Sequence, residues 1–305
     1  MRQTALQTVF DLARTDPRVI FVGSDLGAGT LKEMKSELPN QFFMEGISEQ
    51  YLVGFVSGLA KEGYIPFVNT IANFFTRRAY EQIAMDVALH NLPVRLLASG
   101  GGMVYAPLGP THTAIDDLSL MSSVPHFRIF APGDANEMRE LLLSSITDPF
   151  PWYVRFGKGG EPTFSPTIQE DSSAPKIFGN PTPKILFITT GIIIHEVLAA
   201  VAHLSNSESN KVAAIHLPEL TRIELNTWQN MFVSAERIIV AEEHIPSGGL
   251  FSRILHSAHE YSLDTTKLFQ VCLPFKYPHN YGSQKEHLIA CKLDAAGLIE
   301  SARLP

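Results

Sequence analysis

The pattern of apolar and polar positions between residues 42 and 90 organises the first half of the chain. The short apolar segment Phe42–Met44 is followed by apolar residues three and four positions apart, namely Leu52, Phe55, Val56, Leu59 and Ala60. This spacing predicts a helix with one buried face. A strand-like run over residues 64–71 and a second helical pattern over 77–90 come next. Strands that alternate with helices predict crossover connections and a mostly parallel sheet.

The same alternation extends over residues 1–160, which we predict to form one α/β domain. Its other helices are predicted at residues 2–13, 113–121 and 135–146, and its other strands at 19–22, 94–98, 126–130 and 152–156. The composition then changes to Pro, Ser, Thr and Gly, which is typical of a connecting segment. We therefore predict a linker over residues 161–183.

A second, smaller domain of the same type is predicted over residues 184–305. Strand patterns occupy residues 184–191, 212–217 and 238–241, with another near Phe269, and helical patterns occupy 194–204, 250–259 and the segment from Lys285. Two domains are the usual expectation for 305 residues. The predicted fold class is therefore α/β, with two mostly parallel sheets flanked by helices.

Composition and charge narrow the range of functions. The net charge is -7, so no basic surface for nucleic acid is expected. The two cysteines, Cys272 and Cys291, are too few for a disulfide framework and do not stand in a metal-ligand spacing. No run reaches the roughly 18 apolar residues of a membrane span, and the N-terminal segment lacks the apolar core of a signal peptide. We expect a cytoplasmic protein without nucleic-acid or membrane partners.

Three short motifs carry the candidate chemistry. Glu49 falls in the first turn of the predicted helix, where a carboxylate is favoured by the helix dipole and is often only a capping group. The segment from Phe75 to Ile83 contains Arg78-Ala79-Tyr80-Glu81-Gln82, and Gly109-Pro110-Thr111-His112 follows downstream. Each motif alone is weak evidence for a function, but the order and spacing of the three together are specific.

Together these motifs resemble the pyrimidine-binding domain of thiamine-diphosphate transketolases and deoxyxylulose-phosphate synthases. The resemblance implies that thiamine diphosphate is the cofactor and that Glu49 bonds pyrimidine N1′, favouring the imino tautomer that activates the thiazolium; the cofactor then carries out the organic chemistry. It also implies that Phe75 stacks on the pyrimidine, that Asp25 and Arg78 line the cofactor pocket, and that His112 contacts substrate hydroxyls near the reacting carbon. Glu49 and His112 are thus the expected catalytic residues.

The positions that would contact substrate both match and depart from the family pattern. Arg2 and Arg155 match arginines that contact substrate phosphate in the family. Leu108 stands where transketolases carry an acid that binds donor hydroxyls, and Gly100–Gly101 replaces a cationic phosphate contact. We expect these residues to line the substrate pocket, and we expect a weakened preference for a standard pentose phosphate.

The sequence contains no Gly-Asp-Gly motif with a downstream Asn, which in full-length family members holds Mg2+ and the cofactor diphosphate. The expectation is a C-terminal subunit of a split transketolase that transfers a two-carbon ketol unit between a small-molecule donor and acceptor. It would dimerise within a heterotetramer whose N-terminal, diphosphate-binding subunits supply the Mg2+ ligands. The second domain, with Glu242-Glu243 and Gly248-Gly249, loosely resembles the transketolase C-terminal domain and is expected to dock without a catalytic residue.

Three alternatives stay open at the level of sequence. One is the beta subunit of a 2-oxo acid dehydrogenase, which has the same two domains and the same division between chains. Another is a subunit of a deoxyxylulose-phosphate synthase-like complex. The last is a non-catalytic relative that acts as a scaffold, which the presence of Glu49 argues against because an idle buried carboxylate is costly.

Overall fold

The computed structural model describes residues 1–25, 29–164, 171–207 and 211–303. Its strands form two sheets. The first sheet has the order β2-β1-β3-β4-β6-β5, with every neighbouring pair parallel, and contains β1 Val19–Gly23, β2 Phe42–Met44, β3 Ile65–Ile71, β4 Arg95–Ser99, β5 Arg128–Phe130 and β6 Trp152–Phe156. The second has the order β11-β10-β8-β9-β7 and contains β7 Lys176–Gly179, β8 Ile185–Thr189, β9 Val212–His216, β10 Arg237–Glu242 and β11 Leu268–Cys272. The predicted α/β class is confirmed.

Helices cover the sheets of both domains. Those of the first domain are α1 Arg2–Thr15, α2 Lys32–Glu37, α3 Glu49–Lys61, α4 Ala72–Arg78, α5 Tyr80–Gln82, α6 Asp117–Ser122 and α7 Ala135–Ser144. Those of the second are α8 Ile194–Ser207, α9 Gln229–Ser234, α10 Leu250–Glu260, α11 Gln284–Ala290 and α12 Ala295–Arg303. None of the helices in the described residues is long and apolar enough to cross a membrane.

The apolar core explains why the strands read as continuous hydrophobic runs. Along β1, Ile20 and Val22 belong to one core cluster, whereas Val19 and Phe21 belong to another on the opposite face. A parallel sheet covered on both faces requires apolar residues at every position. The cluster that contains Ile20 and Val22 also includes Leu186 of β8. One of the three apolar clusters in the described part of the chain therefore contains residues of both domains.

The helix predicted over residues 77–90 is broken in the structure. Helix α4 ends at Arg78, Ala79 separates it from α5, and a π-helical turn spans Ile83–Ala88. In that turn the N–H of Leu89 donates to the carbonyl of Ala84 at 3.0 Å, which is a five-residue spacing. Apolar residues three and four positions apart predict a helix but do not indicate where it contains a π-helical turn.

Part of the predicted linker is a strand. Strand β7, Lys176–Gly179, pairs antiparallel with β9 at the edge of the second sheet. Its residues alternate between half-buried and exposed, as expected for an edge strand with one covered face. Pro175 and Pro181 flank it and keep it short, since proline cannot donate to the ladder. The interpretation of residues 161–183 as a linker was therefore incomplete.

Candidate active site

The predicted site lies at the carboxyl ends of the parallel strands of the first sheet. Asp25 follows β1, and helix α3, which begins with Glu49, follows β2. Helix α4 follows β3, and the glycine-rich loop, which begins with Gly100-Gly101-Gly102, follows β4. In open α/β sheets the loops at this edge collect ligand contacts.

Glu49 is the first residue of α3, and its side chain is only 2% exposed. One carboxylate oxygen, Oε2, lies 3.2 Å from Nη1 of Arg78, and the other, Oε1, lies 3.4 Å from the hydroxyl of Thr70. The break after α4 leaves Arg78 at a helix end, from which its guanidinium meets the first turn of α3. The carboxylate is therefore held from two sides.

Phe74 connects the three sequence motifs in space. The guanidinium carbon of Arg78 lies 3.7 Å from the centroid of the Phe74 ring, a cation–π contact. The same ring meets the imidazole of His112 edge to face, with centroids 5.2 Å apart. Glu49, Arg78 and His112 are thus joined through one aromatic side chain. Phe74 was not predicted as a site residue, although its four-residue spacing from Arg78 is that of contacting residues on a helix.

Phe75, the residue predicted to stack on the pyrimidine, lies in the apolar core. It is completely buried, with 0% exposure, in the core cluster that also contains Val22 and Ala79. A ring buried on both faces has no surface free for a cofactor, whereas Phe74 on the same helix is half-buried. Phe74 is thus the more accessible of the two rings, and the stacking role of Phe75 stays a prediction.

His112 lies at the end of a turn that the second domain covers. Its N–H donates to the carbonyl of Gly109 at 3.0 Å, and its Nδ1 lies 2.9 Å from the hydroxyl of Thr111. Gly109 has a φ of +82°, and a Cβ at this position would lie 2.6 Å from the ring of Tyr281. Glycine is required there by both the backbone conformation and the packing. In the same turn Leu108 is 52% exposed, so its apolar side chain is available to a ligand.

Asp25 is connected to Glu49 through two hydroxyl groups. The hydroxyl of Ser24 lies 3.1 Å from Oδ1 of Asp25 and 3.1 Å from the hydroxyl of Thr70, which in turn contacts Glu49. Residues 26–28, which follow Asp25, lie outside the described part of the chain. Asp25 is exposed, which is compatible with the pocket-lining role predicted for it.

The two arginines predicted to contact substrate phosphate are already engaged. Arg2 is half-buried, and its Nη1 lies 3.4 Å from the hydroxyl of Tyr105. Arg155 is 9% exposed in its side chain, and its Nε lies 3.4 Å from Oδ2 of Asp117. The same carboxylate oxygen accepts a hydrogen bond of 2.8 Å from Tyr153. Asp117 therefore compensates the charge that Arg155 would offer to an anion, an arrangement that the sequence analysis did not foresee.

The residues around Glu49 fit the pyrimidine end of thiamine diphosphate. The buried carboxylate borders an open concavity of about 730 Å³ that is also lined by Ile47, Tyr51 and Arg78. Ile47 and Tyr51 are 66% and 55% exposed, so the concavity offers apolar surface beside a charged group. Such a combination suits an aromatic ring that makes one specific hydrogen bond with the carboxylate. The described residues contain no group of three or more His, Cys, Asp or Glu that could hold a metal.

Comparison with known families defines the class. Residues 1–161 match the family described as "Transketolase, pyrimidine binding domain", and residues 178–296 match "Transketolase, C-terminal domain". The chain therefore belongs to the transketolase family, whose members depend on thiamine diphosphate.

Two curated relatives are 1-deoxy-D-xylulose-5-phosphate synthases. The chain is 29% identical over 302 residues to 1-deoxy-D-xylulose-5-phosphate synthase of Halothermothrix orenii and 30% identical over 302 residues to the enzyme of Paraburkholderia xenovorans. These matches cover 97% and 96% of this chain but only 46% of either relative, so the chain spans about half the length of the curated relatives it matches.

Among solved structures, a split-gene transketolase described as an inactive beta4 tetramer is similar, with a TM-score of 0.87 and 25% identity. That match covers 99% of this chain and 96% of the other. A transketolase variant from Pichia stipitis has a TM-score of 0.78 at 17% identity and covers 99% of this chain and 45% of the other, which shows the shared fold alone.

Proposed function

We propose that this chain is one subunit of a thiamine-diphosphate-dependent enzyme that transfers a two-carbon ketol unit from a small-molecule donor to an acceptor. The observation that carries the proposal is Glu49, a carboxylate with 2% exposure at the edge of an open concavity, held by Arg78 and Thr70. A buried charged group requires partners, and its retention beside accessible apolar surface is characteristic of a functional position.

Each residue of the site has a distinct task in this proposal. When bound, thiamine diphosphate supplies the nucleophilic carbon that accepts the two-carbon unit. Glu49 holds the hydrogen bond at N1′ of the pyrimidine, and its burial excludes water that would compete for that bond. Arg78 orients the carboxylate and is itself held by the ring of Phe74. His112, which meets the Phe74 ring edge to face, contacts the donor hydroxyls near the reacting carbon.

A partner polypeptide completes the site in this proposal. A diphosphate requires a cation or a nest of backbone N–H groups, and the Gly-Asp-Gly motif that serves this purpose in full-length family members does not occur in this sequence. The similarity to a split-gene transketolase supports a partner that carries these elements. We propose a heterotetramer of two such chains and two diphosphate-binding partners.

Two features of the pocket favour a donor other than a pentose phosphate. Leu108 presents an apolar surface where an acid would bind hydroxyls, and the charge of Arg155 is compensated by Asp117. Losing one charge-assisted hydrogen bond costs about 1.5–3 kcal/mol. A ketose phosphate should therefore bind about ten- to a hundredfold more weakly than in a site that keeps both contacts.

The relatives named 1-deoxy-D-xylulose-5-phosphate synthase support a second candidate. A 1-deoxy sugar carries a methyl group where a ketol product carries a hydroxymethyl group. The transferred unit would therefore be acetyl, and its source a 2-oxo acid whose C1–C2 bond breaks with release of carbon dioxide. The apolar side chain of Leu108 is compatible with such a less hydroxylated donor.

Steady-state kinetics of the reconstituted complex test the proposal. This chain, a diphosphate-binding partner, thiamine diphosphate and Mg2+ are combined with a panel of ketose phosphates, free ketoses and 2-oxo acids, each with an aldehyde acceptor. We expect two-carbon transfer from a ketose and little preference for xylulose 5-phosphate. Products formed only from 2-oxo acids would favour the second candidate, and no product from any donor would refute both.

A further inference from the structure

The segment Glu243–Ile245 of the second domain contacts both ends of the loop that carries His112. At one end, the N–H of Met103 donates to Oε1 of Glu243 at 2.8 Å. At the other end, the N–H of Ile245 donates to the carbonyl of Ile115 at 2.9 Å. The two ends are joined to each other, because Gly102 and Ala114 exchange backbone hydrogen bonds of 2.9 and 3.0 Å. The conformation of residues 103–113 is therefore tied to the second domain.

Glu243 is buried and forms hydrogen bonds through both its side chain and its backbone carbonyl. It is 5% exposed as a residue, and Nε2 of Gln284 donates to both of its carboxylate oxygens at 2.9 and 3.0 Å. Its backbone carbonyl accepts a hydrogen bond of 2.7 Å from Nη2 of Arg155. Burial raises the pKa of the Glu243 carboxyl, and the nearby Arg155 opposes that rise. One residue of the second domain thus contacts both the glycine-rich loop and a predicted substrate-binding arginine.

The glycine-rich loop is shaped to receive these two side chains. A Cβ at Gly101 would lie 1.9 Å from Nε of Arg155, and one at Gly102 would lie 2.5 Å from Cδ of Glu243. Both distances are far below van der Waals contact, so side chains at Gly101 and Gly102 would displace the arginine and the carboxylate. Packing therefore favours glycine at both positions, and for Gly101 this reason is independent of the phosphate contact that Gly100–Gly101 replaces.

We propose that Glu243 is a positioning residue for the candidate active site. It fixes Met103 and Arg155, and through Met103 it holds the loop that presents Leu108 and His112 to substrate. The inference rests on the proposed function, and it assigns the second domain a part in catalysis beyond docking. A loop displaced by about 1 Å can lower a rate by about a hundredfold.

The neighbouring residue Glu242 provides a matched control. It is also fully buried, at 0% exposure, but its carboxylate accepts hydrogen bonds from the N–H groups of Leu250 and Phe251 at 2.6 and 3.1 Å. Gln270 donates to it at 2.9 Å. All these partners belong to the second domain. Substituting Glu242 therefore disturbs a buried carboxylate without touching the loop.

The test compares Glu243→Ala, Glu243→Gln and Glu242→Gln in the reconstituted complex, with Gln284→Ala as a milder variant should Glu243→Ala fail to fold. Hydrogen exchange of residues 103–113 and steady-state kinetics are measured for each. Glu243→Ala should speed exchange in the loop and lower kcat about ten- to a hundredfold with every donor. Glu243→Gln keeps an oxygen that accepts from Met103 and should recover much of both. Glu242→Gln should lower thermal stability while leaving loop exchange and kcat unchanged.

Two results would overturn the inference. One is unchanged loop exchange in Glu243→Ala and in Gln284→Ala. The other is an equal loss of kcat in Glu242→Gln, which would show that any buried change in the second domain has this effect. Exchange needs no turnover, so an inactive wild-type complex would refute the proposed function while leaving the exchange result to decide the role of Glu243.

Discussion

Replacing Glu49 by glutamine separates its proposed catalytic role from its structural one. The substitution preserves the shape of the side chain and one oxygen, but removes the charge that pairs with Arg78. Because the Arg78 side chain is 45% exposed, the ion pair is partly solvated and worth about 0.2–1 kcal/mol. Such a loss lowers the melting temperature of a chain of this size by at most about 2–4 °C.

The expected loss of activity is much larger than this loss of stability. A positioned acid or base contributes about 10²–10⁴ to a rate, which corresponds to about 3–5 kcal/mol of barrier. The assay is two-carbon transfer by the reconstituted complex at saturating thiamine diphosphate, with melting temperatures measured in parallel. Glu81→Gln is the control, since Glu81 is exposed in the first turn of α5. Activity of Glu49→Gln close to that of the control would refute the assignment.

Three further outcomes are expected. His112→Ala should lower kcat with every active donor, because the proposed function places the imidazole beside atoms that all donors share; initial rates measure this, and an effect confined to one donor would argue against it. Phe74→Ala should weaken cofactor binding by the complex in calorimetry, whereas Phe75→Leu should mainly lower the melting temperature; the reverse pattern would support stacking by Phe75. Burial raises the pKa of Glu243, so the folded state binds more protons than the unfolded state in this pH range. The stability that this group contributes is therefore lost as pH rises from the usual glutamate pKa through the raised value. Urea unfolding should show this fall in the free energy of unfolding in wild type, and it should be absent in Glu243→Gln.

Much of the fold could be predicted because the strands and helices of a parallel sheet have recognisable sequence patterns. Strands covered on both faces require continuous apolar runs, and the helices between them require three- and four-residue spacing. Glu49 could be located for the same reason, since the helical pattern begins directly after it. These signals are local, and each depends on a short stretch of chain.

The features that escaped prediction depend on contacts between distant residues. The engagement of Arg155 by Asp117 and Glu243 joins segments separated by 38 and 88 positions, and nothing local marks it. The choice between Phe74 and Phe75 depended on where α4 begins, and the π-helical turn at Ile83–Ala88 changed the register of the predicted helix. Family spacing identified the motif but not which of two adjacent rings is accessible.

The central claim is that this chain supplies only the pyrimidine side of a cofactor site shared with a partner polypeptide. Titration calorimetry with thiamine diphosphate and Mg2+ tests it most directly, using the chain alone, the diphosphate-binding partner alone, and the reconstituted complex. We predict weak binding by this chain, tight Mg2+-dependent binding by the complex, and loss of much of that tight binding in the complex with Phe74→Ala. Tight Mg2+-dependent binding by this chain alone would contradict the claim.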